Sequence, residues 1–259
     1  AFFGLLRPRR PVPGMDVAGV VSEVGEGVRR FQPGDEVFGE VSGAYAEWVC
    51  APEARLSLKP KGVAFEQAAA LPIAGVTALQ GLRDCGKLRA GQHVLVNGAS
   101  GGVGSFAVQI ARAMGAEVTA VCSGNNVELV RSLGATEVVD YQQQDFTKLE
   151  RPVDVLFDLA GSRPLRACLR LVAPTGVYVC SVGRLRWLAK SFAASLFDRR
   201  IRVLAAKPNP DDLAEVARMV ELGSVRPLIE RRFALEQTAE ALRLQGTQRV
   251  RGKSVIVVA

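Results

Sequence analysis

The chain has 259 residues, 48% hydrophobic and 23% charged, a composition that fits a folded protein with room for one large or two medium domains. No apolar run is long enough to span a bilayer without a charge, and the start AFFGLLRPRRP lacks the apolar core of a secretion signal, so neither an integral membrane segment nor export is expected. The formal charge of +7 gathers at 7–10, 199–202 and 249–253, but no aromatic platform or recognition motif accompanies those clusters, and no nucleic-acid partner is expected.

Residues 1–58 read as β-rich. Residues 17–24 alternate around Gly19, Gly25 and Gly27 make a turn, and Pro33-Gly34-Asp35 makes another. Residues 36–39 and 43–50 follow as strands, so a small barrel or sandwich is expected, with a loop over 51–61. From Phe65 the texture turns helical, broken at Pro72 and ending near Gly86.

Residues 92–123 organise the rest: QHVLVNGASGGVGSFAVQIARAMGAEVTAVCS. The run 94–96 is a buried parallel strand by its apolar continuity, 103–114 carries apolar residues at helical spacing, and Gly115 ends that helix. Between them Gly98, Gly101, Gly102 and Gly104 give the backbone freedom to approach a ligand closely. A helix opening beside Ser100 and Val103 would aim its free N–H groups at a pyrophosphate, so a dinucleotide site is expected there. Strands then recur at 117–122, 137–140, 153–157, 176–181 and 201–205, with helices at 127–133 and 165–171 between them. That alternation specifies a doubly wound parallel sheet with right-handed crossovers. The stretch 185–206 carries Trp187, Phe192 and Phe197 on a basic, helix-like background, and reads as an amphipathic helix packed on its own domain rather than as the lining of an entrance for a hydrophobic substrate or a contact with a membrane surface.

After Lys207 the rhythm changes. A helix at 211–222, with Asp211 and Asp212 at its start, precedes a strand at 227–233, a helix at 235–244 and a last strand at 254–258. This tail is expected to return to the N-terminal β-rich part. Cys50, Cys85, Cys122, Cys168 and Cys180 are scattered and form no C-x-x-C pair, which fits reduced thiols in a cytoplasmic protein.

Four motifs stand in one order: GMDVAGVVSEVGEGVRRFQPGDEVFG at 14–39, GAYAEWV at 43–49, AAALPIAGVTALQGL at 68–82 and NGASGGVG at 97–104. That order resembles the medium-chain dehydrogenase/reductase superfamily, in its zinc-free, quinone-oxidoreductase-like branch. The resemblance implies an α/β fold in which a Rossmann domain (76–206) is inserted in a GroES-like β-rich catalytic domain (1–75 and 207–259), with homodimers common. Family members begin with further strands, so the chain is expected to be N-terminally incomplete and part of its substrate pocket to lie outside it. By the same resemblance Thr77 lies near the nicotinamide and Tyr141 approaches a 2′-phosphate; as residues they are equally a helix hydroxyl and a strand-end aromatic.

Zinc-dependent relatives carry a G-H-E motif and a four-cysteine loop. Here the first motif is Gly14-Met15-Asp16, no cysteine cluster follows, and the single histidine, His93, reads as a surface or strand-edge residue. No metal is therefore expected, and Asp16 is expected to be structural. Without a Lewis acid, reduction of a quinone, enal or enone is favoured over alcohol oxidation, because hydrogen-bond donors alone can stabilise charge on a conjugated oxygen. The second strand ends at Ser123 with no acid until Glu128, which tolerates a phosphate and favours NADPH over NADH. Gly161 and Gly183, after the fourth and fifth strands, stand beside the ribose and nicotinamide or serve as plain turn glycines. Tyr45 is read as a packed strand residue rather than a proton donor, and no general acid is assigned. The alternatives are a zinc alcohol dehydrogenase and a nucleotide-binding relative without catalysis.

Overall fold

In the computed structural model, which describes residues 12–181, 185–247 and 250–258, the chain forms two compact units. The first takes the described residues through Val76, Pro208–Gly223 and those from Pro227 onward; the second takes Thr77–Lys207 and Ser224–Arg226.

The first unit opens with an antiparallel sheet of β1 (Asp16–Val20), β2 (Glu36–Glu40) and β3 (Leu56–Leu58). Phe31, Val37 and Leu56 form its small core. The strand expected at 43–50 does not form, and Tyr45 is not a strand residue. The amides of Gly43 and Ala44 donate to the carbonyl of Gly14, and that of Tyr45 to Pro13, so these donors are spent on a wrap around residues 13–14. With them engaged, no ladder extends the sheet there, and the barrel or sandwich expected from 1–58 is, among the described residues, a three-stranded sheet.

Helix α1 (Phe65–Ala69) leads to α2 (Pro72–Gln80). Pro72 starts the second helix, because a residue without N–H costs nothing at the first position. The next amide, of Ile73, donates to Asp16 Oδ1 at 2.9 Å.

The second unit is a six-stranded, all-parallel sheet. Its elements are β4 (His93–Asn97), α3 (Gly102–Ala113), β5 (Glu117–Cys122), α4 (Val127–Ser132) and β6 (Glu137–Asp140), then β7 (Val153–Asp158), α5 (Leu165–Leu171), β8 (Val172–Cys180), α6 (Leu185–Ser195) and β9 (Ile201–Val203). The strand order β6-β5-β4-β7-β8-β9 reverses direction between β4 and β7, where α/β sheets of this kind leave a crevice at the carboxyl ends of their strands. Leu95, Val121, Leu156, Tyr178 and Ile201 are fully or almost fully buried in its core. His93 is buried, contrary to the surface or edge position expected, because β4 is central; its Nε2 lies 2.8 Å from Thr119 Oγ1. Two buried glutamines hold the ends of this unit. Gln80 bonds both the N–H and the carbonyl of Lys207, and Gln109 does the same for Arg226.

The tail supplies α7 (Pro210–Glu221), β10 (Ile229–Ala234), α8 (Thr238–Gly246) and β11 (Lys253–Val257), with β10 and β11 paired in parallel. The cap of α7 is Asn209, whose side chain accepts from the Asp211 amide, so the helix begins one residue before the expected 211. The tail is grouped with the N-terminal unit, where Lys253 pairs with Asp16 at 2.8 Å and Arg232 with Glu66 at 3.0 Å.

Candidate functional site

The turn between β4 and α3 rests on two glycines, Gly98 and Gly104, that other residues could not replace without movement. Gly98 has a φ of +92°, a left-handed backbone that side chains disfavour, and its amide and that of Ala99 both donate to the Val121 carbonyl. At Gly104 an added Cβ would lie 2.1 Å from the Gly98 carbonyl oxygen and 2.8 Å from Ala99 Cα, so turn and helix touch backbone to backbone. Gly101 precedes the first turn of α3, and no side chain caps that end. The early amides of the helix, at Gly102, Val103 and Gly104, therefore keep the free donors and the positive end of the dipole that an anion recruits.

A single side chain ties this turn to the neighbouring strand end. Asn126 Nδ2 donates to Ser100 Oγ at 3.1 Å and to Ser123 Oγ at 3.0 Å, and its buried Oδ1 has no partner. The structure thus joins Ser100 and Ser123, two of the expected residues, through a third that the sequence reading missed. An unpartnered buried amide oxygen is an acceptor held ready for a hydroxyl. Turn, anion-ready helix end and spare acceptor fit a dinucleotide's pyrophosphate and ribose.

At the same strand end the sheet supplies an acid that inspection of the 123–128 loop cannot reveal. Asp140 ends β6 opposite Cys122, and its Oδ2 would lie 2.7 Å from a Cβ placed on Gly124. Its oxygens accept from the Gln142 amide and from Gln143 Nε2. Tyr141, next in the chain, is 47% exposed. Arg131 is held by Glu128 at 2.7 Å.

On the other side of the switch point, Asp158 at the end of β7 is fully buried. Its Oδ1 accepts from Asn97 Nδ2 at 2.8 Å and from the amides of Ala160 and Gly161, and its Oδ2 accepts from the Tyr178 hydroxyl at 2.7 Å. Burial and the adjacent Asp158 charge push the Tyr178 hydroxyl far up, which keeps its proton in that bond. Gly161, at a φ of +59°, therefore turns its amide inward to Asp158 rather than outward to a ligand. Asn97 and Asp158 also escaped the sequence reading; the available signal was a polar residue at the carboxyl end of an otherwise apolar strand. Thr77 is buried in α2. Gly183 lies outside the described residues.

Zinc is a poorer fit. Asp16, at the position of the zinc-motif acid, spends Oδ1 on the Ile73 amide and Oδ2 on the Lys253 ammonium. Among the described residues no three His, Cys, Asp or Glu side chains converge as a metal would need.

Residues 4–61 match the family described as alcohol dehydrogenase GroES-like domain, and residues 133–256 that described as zinc-binding dehydrogenase. The mitochondrial NAD(P)H oxidoreductase RTN4IP1 of Bos taurus is 36% identical over 284 residues, covering 95% of this chain and 70% of that protein. The 2-methylene-furan-3-one reductase of Solanum lycopersicum is 33% identical over 263 residues, covering 96% of this chain and 64% of the reductase. The structure of the quinone oxidoreductase from Coxiella burnetii superposes with a TM-score of 0.89 at 33% identity, covering 95% of this chain and 79% of that one. The two units are thus a GroES-like domain and a Rossmann domain, and the chain belongs to the medium-chain dehydrogenase/reductase superfamily, among its quinone-oxidoreductase-like members, as an oxidoreductase.

Proposed function

We propose that the chain is a zinc-independent, NADPH-dependent oxidoreductase that passes hydride to a quinone or to another activated carbonyl or alkene. One arrangement carries this reading: the uncapped start of α3 beside a glycine turn that Asn126 ties to Ser123. In it, the amides of Gly102, Val103 and Gly104 hold the pyrophosphate, with Gly98, Ser100 and Gly101 shaping the approach. Ser123 and Tyr141 donate to the 2′-phosphate, and the amide groups of Gln142 and Gln143 offset the charge of Asp140. Thr77, Gly161 and Gly183 belong to the nicotinamide side. When bound, the nicotinamide supplies the hydride. The engagement of both Asp16 oxygens supports chemistry without zinc, and donors suffice for an acceptor whose charge develops on a conjugated oxygen. The quinone and enone named in the relatives above fit that demand.

The test is a titration of the chain with NADPH and NADH, followed by nicotinamide fluorescence, and then an oxidation screen with quinones, enals and simple aldehydes. NADPH is expected to bind at least roughly tenfold more tightly, a difference of about 1.4 kcal/mol. Ser123→Ala and Tyr141→Phe should weaken NADPH more than NADH, and Asp140→Asn should strengthen it. Equal dissociation constants remove the phosphate site. Tight binding with no turnover across the panel replaces the enzyme by a nucleotide-binding relative, and stoichiometric zinc in metal analysis replaces the reductase by an alcohol dehydrogenase.

A further inference from the structure

Asn97 ends β4 and stands in register with Asp158, the last residue of the neighbouring strand β7. Its side chain is buried, although it is an amide in an otherwise apolar strand. An asparagine amide has one donating and one accepting end, and the surroundings fix which end faces which way. Asp158 Oδ1 already receives the backbone amides of Ala160 and Gly161 at 3.1 and 2.8 Å, so it can only accept. Asn97 must therefore turn its nitrogen toward that oxygen, and Nδ2 meets it at 2.8 Å. The second hydrogen of Nδ2 goes to Ser162 Oγ at 3.2 Å. Both donors are spent, and Oδ1 is turned the other way with no donor among the described residues.

The same bond decides the role of Ser162. Its oxygen accepts from Asn97, so its own proton is free to donate, and the residue is exposed in the turn that follows β7. An acceptor and a donor are thus held side by side at the carboxyl ends of β4 and β7, the two strands where the strand order reverses. An unused acceptor on a buried side chain calls for an explanation, and a ligand supplies one. The chemistry narrows that ligand. A phosphate has no hydrogen to give Oδ1 and would be repelled by the Asp158 carboxylate behind it, whereas a pair of hydroxyls can give one proton and accept another. Position narrows it further. Asn97 directly precedes Gly98 of the pyrophosphate turn, and the part of a dinucleotide that adjoins the phosphates is a ribose. The adenine ribose belongs with Ser123 and Asp140 on the β5–β6 side, while Asn97 and Ser162 stand on the β7 side.

We propose that Asn97 Oδ1 and the Ser162 hydroxyl grip the two hydroxyls of the nicotinamide ribose, Asn97 by accepting and Ser162 by donating. This assignment rests on the dinucleotide reading above and adds two residues to it. A ribose held at its hydroxyls as well as through its phosphate loses the rotations that would swing the ring it carries, so the grip orients the hydride donor. The buried shell around Asp158 gives the grip its stiffness, because Asn97 cannot rotate its amide without setting an oxygen against an oxygen.

The test is calorimetric titration of the full chain with NADPH and with adenosine 2′,5′-bisphosphate, which keeps the adenine half and lacks the nicotinamide ribose. Asn97→Leu and Ser162→Ala are each expected to weaken NADPH roughly tenfold and to leave the bisphosphate within about twofold of the parent. Asn97→Leu also takes a donor from Asp158, so its thermal midpoint should fall. Ser162→Ala leaves that buried shell whole and carries the test alone if Asn97→Leu does not fold. The 3-acetylpyridine analogue of NADPH, which has no carboxamide N–H, should lose as much in either variant as NADPH does. The proposal is overturned if a folded variant binds NADPH like the parent, if NADPH and the bisphosphate weaken together, or if the analogue is unaffected, which would make the carboxamide the partner. A parent that takes NADH instead is tested in the same way with ADP as the truncated probe. A parent that binds neither NADPH nor NADH overturns the dinucleotide reading itself, and this assignment with it.

Discussion

The carboxylate of Asp158 and the hydroxyl of Tyr178 meet at 2.7 Å inside the parallel sheet, and neither residue reaches solvent. Three further donors, from Asn97, Ala160 and Gly161, complete the shell of the buried oxygens. Because Asp158 stays buried when one donor is removed, Tyr178→Phe is expected to cost about 1–3 kcal/mol, the range for a buried acceptor losing a partner. Urea unfolding should show a lower midpoint at an unchanged slope. An unchanged midpoint means the bond adds nothing.

Gly101 and Gly104 separate ligand space from protein space. A Cβ at Gly104 would collide with the Gly98 carbonyl and Ala99 Cα, whereas at Gly101 its nearest neighbour is the Gly98 oxygen at 3.4 Å. Gly104→Ala is therefore expected to lower the thermal midpoint and weaken nucleotide binding together. Gly101→Ala should keep the parent midpoint, so that any loss of NADPH affinity in it reports contact with the ligand. If both variants melt like the parent, the backbone contact at Gly104 is not tight.

Asn126 is the mechanical link between Ser100 and Ser123. Asn126→Ala removes both bonds and the spare acceptor, and NADPH dissociation is expected to rise roughly tenfold, the weight of about one net hydrogen bond. Ser100→Ala and Ser123→Ala each remove one bond, and a double-mutant cycle with Asn126→Ala should show strong coupling in both cases. Additive losses would mean that the three side chains act independently.

What the sequence made legible, and what it did not, divides along physical lines. Strands 117–122 and 137–140 and helix 165–171 read correctly to the residue, because apolar periodicity reports directly which side chains leave water. The strand at 43–50 failed for the opposite reason: apolar residues were present, but a strand also needs partners for its amides, and Gly14 and Pro13 had taken them. At the site, the glycines were legible because backbone close approach excludes other residues. Asn126, Asp140 and Asp158 were not, because each acts through a neighbour that only parallel pairing brings near. Asp140 reaches Gly124, sixteen positions back along the chain, only because β6 lies beside β5.

The buried thiols give a pH-dependent prediction. Burial, with the charge of Asp140 adding to it, pushes Cys122 up to about 11, and burial with the charge of Asp158 pushes Cys168 up to about 12. At pH 8 the thiolate fraction of Cys122 is on the order of one in a thousand, so iodoacetamide should label exposed Cys50 and spare Cys122 and Cys168. Above pH 9 the unfolded chain releases these protons while the folded one keeps them, so stability should fall as pH rises through that window. Native mass spectrometry that finds Cys122 alkylated as fast as Cys50 at pH 8 contradicts both statements.

Asp16 and Lys253 close the N-terminal unit from its two ends in sequence. The ammonium sits 2.8 Å from Oδ2 while Oδ1 receives the Ile73 amide at the start of α2. Lys253→Met leaves a partly buried carboxylate with only the helix amide, and is expected to cost about 1–3 kcal/mol. Asp16→Asn keeps an acceptor for Ile73 but loses the charge, and the double variant should recover part of the loss if the two charges are coupled. Glu40, opposite Asp16 across the β1–β2 pair, reports on the same charge: burial first, and the Asp16 carboxylate second, raise its pKa. A raised carboxyl favours folding while it is protonated, so this contribution is present at low pH and is lost as pH climbs through its folded value. Asp16→Asn should lower that value and shrink the loss. A stability profile from pH 4 to 7 that is identical in parent and Asp16→Asn would show that Glu40 does not feel Asp16.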